Sequence, residues 1–274
     1  MFPIGRMSLW TCRRLIAPGV LLSRRCLSSG GGKCPGPVVA SRILAAIDFD
    51  KTIVARDSYL VVSELLPAEK RGKKLDDLVK RCGWMTYIET VLKQLYTEHK
   101  VDSTAVGRCV RLIEPVPGMM RLLRQLAGMP QLDMCIISDS NSYFIDEWLR
   151  DRGIADLFCA VFTNPACVQS SGELLVLPFE DQTQCDLCPA NLCKGAVVQQ
   201  LIDTGVYKQV VYVGDSCNDL CAMRHLRPVD VACIRRGFEL YGKMPAHGRE
   251  LKCRVVSWRD GHELDANLLP IILA

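Results

Sequence analysis

From Ser41 onward, short and almost wholly apolar runs alternate with helical patterns. Residues 43–47, 134–137, 160–162, 210–213 and 231–234 form such runs, none with internal polar alternation. A strand with one wet face alternates, whereas a strand covered on both faces reads as a continuous apolar run. The pattern predicts an α/β fold, a parallel sheet covered by helices. About 85 residues separate the first two runs, and there LDDLVKRC, WMTYIETVLKQLY and TAVGRCVRLI place apolar residues three or four apart. That is helical spacing. Pro115-Val116-Pro117-Gly118 ends the stretch, since two prolines stop a helix and glycine permits a turn. Residues 59–113 are thus expected to be a helical cap inserted into a core formed by residues 41–58 and 114–274. The apolar C-terminal LDANLLPIILA is expected to pack on that core.

Composition sharpens this picture. Apolar residues make up 49% and charged residues 23% of the 274, far from the signature of disorder. No run reaches the roughly 18 apolar residues of a membrane-spanning helix. Arg6, Arg13, Arg14, Arg24, Arg25, Lys33 and Arg42 give residues 1–47 seven positive charges and no acid, while the remainder has 27 basic against 30 acidic residues. A slightly acidic body offers no footprint for nucleic acid. The Arg- and Ser-rich leader has the composition of a transit peptide, so residues 1–40 are expected to be an address and linker. The destination would be a mitochondrion or plastid, with the cytoplasm as the alternative.

Fifteen cysteines stay below the roughly 8 to 10% of a disulfide scaffold, and an odd number cannot pair completely. Cys135 and Cys233 lie in apolar runs, as small buried hydrophobes do. A reducing compartment is expected. Cys185, Cys188 and Cys193 form a cluster open to three readings: packed reduced thiols, a zinc site whose fourth ligand would be Cys167 or His225, or a redox pair. No spacing among His99, His225, His247 and His262 points to a metal site or a triad.

The chemistry-bearing residues lie where the predicted strands run out. Asp48 and Asp50 follow the first run, Ser138 and Asp139 the second, Asp215 and Asp219 the fourth. In an open parallel sheet the carboxyl ends of the strands face the ligand crevice. Carboxylates gathered there can bind a hard cation such as Mg2+, or share the roles of nucleophile and general acid.

Asp48-Phe49-Asp50-Lys51-Thr52, Ser138, Lys194 and Gly214-Asp215-Ser216-Cys217-Asn218-Asp219, in that order, resemble the catalytic elements of a haloacid dehalogenase superfamily phosphatase. Such a phosphatase has a Rossmann-like parallel sheet with a helical cap after the first strand. DFDKTI, Pro117-Gly118-Met119, ISDSN and Cys185-x2-Cys188-Pro189-x-Asn191-x-Cys193-Lys194-Gly195 are similar to the phosphoethanolamine/phosphocholine phosphatase family, which includes members resembling pyridoxal phosphate phosphatase. The resemblance implies that Asp48 is the nucleophile that forms an aspartyl-phosphate and Asp50 the general acid and base. It implies a Mg2+ ion held by Asp48, the Asp50 carbonyl and Asp215 and supported by Asp219, with Ser138 and Lys194 on the phosphoryl oxygens. Asp139 matches a substrate-side acid of the family, whereas Tyr59 stands where a second acid is expected. The partner is a small phosphorylated metabolite: phosphoethanolamine or phosphocholine first, then pyridoxal phosphate, thiamine monophosphate or pyrophosphate. A phosphotransferase and a non-catalytic binder of phosphorylated ligands are the rival classes.

Overall fold

A computed structural model describes residues 42–71 and 73–274, except for the side chains of residues 73, 74, 76 and 80–82; the leader expected over residues 1–40 lies outside the described residues. The chain runs β1 (Arg42–Ile47), α1 (Ser58–Ser63), α2 (Lys73–His99), α3 (Ser103–Arg111), α4 (Met119–Ala127), β2 (Leu132–Asn141), α5 (Ser142–Asp151), β3 (Ala160–Asn164), β4 (Ala166–Val168) and β5 (Leu174–Val176). It continues through α6 (Lys194–Asp203), β6 (Tyr207–Gly214), α7 (Cys217–Arg224), β7 (Val231–Arg235), α8 (Glu239–His247), β8 (Arg254–Trp258) and α9 (Gly261–Ile272).

Six strands pair in the order β3-β2-β1-β6-β7-β8, and every pairing is parallel. The apolar runs mark five of these strands because both faces are covered. Ile43, Ala45 and Ile47 join Leu122 of α4, Trp148 of α5 and Leu268 of α9 in one buried layer. Leu44 and Ala46 join Val198 of α6, Leu220 of α7 and Leu240 of α8 in the other. The C-terminal segment forms α9, which buries Leu264, Leu268 and Ile272. β8 is an addition to the sequence reading, and so is the antiparallel hairpin of β4 and β5.

Helices α1 to α3 fill the span between β1 and α4, with non-helical backbone at Gly83 inside α2. Among the described residues, no helix is long and apolar enough to cross a membrane.

Candidate active site

Register brings the acids to one edge. Ile47 pairs with Ile136 of β2 and with Val213 of β6, so Asp48, Ser138 and Asp215 lie one or two residues beyond the same rung of three adjacent strands. The Asp48 N–H donates to the Val213 carbonyl at 2.9 Å, carrying the ladder one step further. The chain then turns, with Lys51 in the left-handed region at φ 55° and the Phe49 carbonyl accepting from the N–H groups of Ile53 and Val54. Phe49 is fully buried, edge-on to Trp148 at 5.7 Å between ring centres. This anchor fixes the two acids that flank it.

Lys194 is the hub, with 0% exposure. Its Nζ lies 3.0 Å from Asp48 Oδ1 and 2.8 Å from Asp219 Oδ1. Burial pulls its pKa down, but the charges of Asp219, Asp48 and Asp139 outweigh that and hold the ammonium firmly protonated. Asp219 is saturated: Oδ1 also accepts from the Tyr212 hydroxyl, while Oδ2 accepts from the backbone N–H groups of Asp215 and Ser216 and from Ser216 Oγ. Asp219 therefore acts by positioning Lys194 and the Asp215 backbone. A Cβ on Gly214 would stand 2.3 Å from Asp219 Cγ, so only glycine lets this carboxylate tuck under the strand end.

Carboxylate oxygens of Asp48, Asp215 and Asp219 lie within 4.8 Å of one another, all three buried. Burial pushes the Asp48 carboxyl well up, against the pull of Lys194 and with the added repulsion of Asp219 and Asp215. Burial and then Asp219 push Asp215 up to about 7. Three buried carboxylates facing one buried ammonium leave negative charge in excess, and their hard oxygens suit a divalent cation. The residues therefore fit Mg2+, which Asp48 and Asp215 would hold.

Asp50 is held on the cap side. Ser58, at the start of α1, donates its N–H to Asp50 Oδ1 and its hydroxyl to Oδ2, both at 2.9 Å. Burial, then the charges of Asp57 and Asp48, raise the Asp50 carboxyl well above its ordinary pKa in spite of those donors. Ser138 is fully buried, and its Oγ accepts the Ser140 N–H at 3.3 Å.

Asp139 accepts from Asn218 Nδ2 at 3.0 Å through its carboxylate, and its carbonyl accepts from the Tyr59 hydroxyl at 2.9 Å and Asn164 Nδ2 at 2.7 Å. Tyr59 is buried, its ring edge-on to Phe144, so its hydroxyl supports β2 at Asp139.

Sequence reasoning missed Ser58, Asn164 and Tyr212, and it gave no role to Asn218 within the Gly214–Asp219 element. A signal existed for Ser58, because Asp57 caps α1 through the Leu60 N–H and an N-cap residue is readable from sequence. Asn164 and Tyr212 sit on strands with nothing local to mark them.

A parallel sheet with an inserted helical cap, three strand ends crowded with acids and one buried lysine define a phosphatase of the haloacid dehalogenase superfamily. Within it, the chain belongs to the family described as "Putative Phosphatase", whose family model matches residues 43–272. It is 35% identical over 236 residues to the pyridoxal phosphate phosphatase PHOSPHO2 of Mus musculus, covering 83% of this chain and 97% of the relative. It is 33% identical over 253 residues to the Danio rerio protein named "Probable phosphatase phospho1", covering 88% and 90%. Phosphoserine phosphatase has the same fold, with a TM-score of 0.54 in its apo form and 0.55 in a phospho-aspartyl intermediate analogue. The analogue is 15% identical and covers 82% of this chain and 97% of its own. As a phosphatase of this family, the chain acts on small phosphorylated substrates.

Proposed function

We propose that the chain is a Mg2+-dependent phosphomonoesterase in which Asp48 becomes transiently phosphorylated. The observation that carries the reading is the buried Asp48 carboxylate 3.0 Å from the Lys194 ammonium, with the Asp50 carboxyl, pushed up by burial and by Asp57 and Asp48, two residues on. Mg2+ at Asp48, Asp215 and the Asp50 carbonyl would offset the charge of the phosphoryl oxygens as an anion approaches an anion. An Asp48 oxygen bonds to phosphorus as the bond from phosphorus to the leaving oxygen breaks. Asp50 gives its proton to that oxygen. Water then attacks the phosphorus, its proton returns to Asp50, and Asp48 is freed with release of phosphate. Lys194 and the Ser138 hydroxyl stabilise the charge on the phosphoryl oxygens throughout. The cap of residues 59–113 covers the site and selects the leaving group.

Among substrates, pyridoxal phosphate moves ahead of phosphoethanolamine and phosphocholine. The mouse relative is named for it, and Tyr59 stands where a second acid that could sense an ammonium is expected. The test is phosphate release by the full chain, with and without Mg2+, from pyridoxal phosphate, phosphoethanolamine, phosphocholine, thiamine monophosphate and pyrophosphate. Mg2+-dependent release fastest from pyridoxal phosphate is expected. Faster release from the amino-alcohol esters would reverse the substrate order, and release from none would defeat the reading.

A further inference from the structure

The loop that delivers Lys194 to the site is held outside it by sulfur. Sγ atoms of Cys185, Cys188, Cys193 and Cys221 all lie within 4.8 Å of one another, the last three buried and Cys185 half-buried. Cys221 Sγ is 3.4 Å from Cys185 Sγ and 3.8 Å from Cys193 Sγ. A disulfide needs about 2.05 Å. Four thiolates at the Zn–S distance of about 2.3 Å sit at the corners of a tetrahedron with edges of roughly 3.8 Å. The observed spacings are those of a tetrahedral site and not of a disulfide.

The surroundings are built to aim these sulfurs. Gln182 folds its side chain into the loop: Nε2 donates to the carbonyls of Cys185, Cys188 and Pro189, while Oε1 accepts from the N–H groups of Gln184 and Cys185. Glu180 Oε1 accepts the Cys193 N–H at 2.5 Å. Cys221 comes from α7, which can approach closely because residue 195 is glycine; a Cβ there would lie 2.5 Å from Cys221 Sγ. Cys167, one of the two expected fourth ligands, is exposed on β4, and His225 Nδ1 bonds Gln199 Oε1 instead.

We propose that Cys185, Cys188, Cys193 and Cys221 bind one structural zinc ion, the thiol protons passing to solvent as the thiolates coordinate. All four positions are filled by protein, which marks a structural and not a catalytic zinc. The ion ties the residue before Lys194 to α7, two residues beyond Asp219. It thereby braces both partners of the Lys194–Asp219 contact from the side away from substrate.

The test is metal analysis of the full-length protein purified under reducing conditions, alongside Cys221→Ser, Cys185→Ser, Cys167→Ser and Asp215→Asn. About one zinc per chain is expected in the wild type, Cys167→Ser and Asp215→Asn, with at least a tenfold loss in Cys221→Ser and Cys185→Ser. Cobalt in place of zinc should give a thiolate-to-cobalt charge-transfer band in the near ultraviolet. If the cysteine variants do not fold, the wild-type zinc content and cobalt spectrum decide alone. Zinc that Asp215→Asn loses and the cysteine variants keep would overturn the proposal. So would reduced wild-type protein that takes up neither metal, or a disulfide between any two of the four. None of these readouts depends on turnover, so they stand whatever the substrate panel gives.

Discussion

Two clusters of potential metal ligands meet at α7, which carries Asp219 and Cys221, and differ in nearly every other respect. The carboxylates of Asp48, Asp215 and Asp219 stand on strand ends and a helix N-terminus, and the sheet register fixes them. Three of the four thiols come from a stretch without helix or strand, held by Gln182 and Glu180. Hard oxygens carrying excess charge suit a cation that must tolerate phosphate as a co-ligand; soft sulfurs that leave no position open suit one that never meets substrate. Chemistry is placed at the sheet edge, and the segment leading into Lys194 at the start of α6 is held separately by Gln182 and Glu180.

Breaking the carboxylate side should have the largest effect. Asp48→Asn removes the attacking charge while nearly preserving shape, and phosphate release should fall by about 10⁴-fold or more with an unchanged circular dichroism spectrum. Wild-type turnover in that variant would remove Asp48 from the reaction. Lys194→Met leaves the buried Asp48 and Asp219 facing each other without the ammonium that joins them. Turnover should drop by about 10²–10³-fold. Unfolding in urea should show a loss of about 3–5 kcal/mol, the usual cost of stripping one partner from a buried ion pair.

A pair of glycine variants sharpens the comparison. In Gly214→Ala the new Cβ collides with Asp219, and in Gly195→Ala with Cys221 and His225. Each overpacking should cost about 1–3 kcal/mol of stability. Gly214→Ala should also cost at least tenfold in turnover at saturating Mg2+, because it displaces the carboxylate that positions Lys194. Gly195→Ala should cost less turnover than that. Equal losses would mean that the two clusters do not act separately.

The sheet was legible because five strands each carry an uninterrupted apolar run of three to five residues, even β3 at the sheet edge. β8 escaped because its apolar run is broken: Arg254 and Val255 are exposed, Ser257 interrupts the run, and only Val256 and Trp258 are buried. The carboxylate cluster was legible from its place at strand ends. Its supporting hydrogen bonds were not, since Tyr212 reads as one more apolar strand residue and Asn164 as a turn. The thiol cluster was legible for the three cysteines close in sequence, while Cys221 lies 28 residues beyond Cys193 and meets it only when α6 packs on α7.

The last effect expected is a pH dependence in the carboxylate cluster, small over any one pH unit. Asp215 has its carboxyl raised from 3.8 to about 7 by burial and by Asp219. Between those values the folded chain holds a proton on Asp215 that the unfolded chain has released, so the contribution of this group to metal-free stability should fall as pH rises from about 4 to about 7 and level off above. The slope contributed by this one group is at most about 1.4 kcal/mol per pH unit. Mg2+ competes with that proton, so the Mg2+ needed for half-maximal activity should rise by up to about tenfold per unit as pH falls below 7. Asp215→Asn should need more Mg2+ at every pH and flatten both dependences, as read by urea unfolding of metal-free protein and by Mg2+ titrations at pH 6 and 8. A Mg2+ requirement that still follows pH in that variant would place the titrating proton elsewhere, and Asp48 would be the next carboxyl to change.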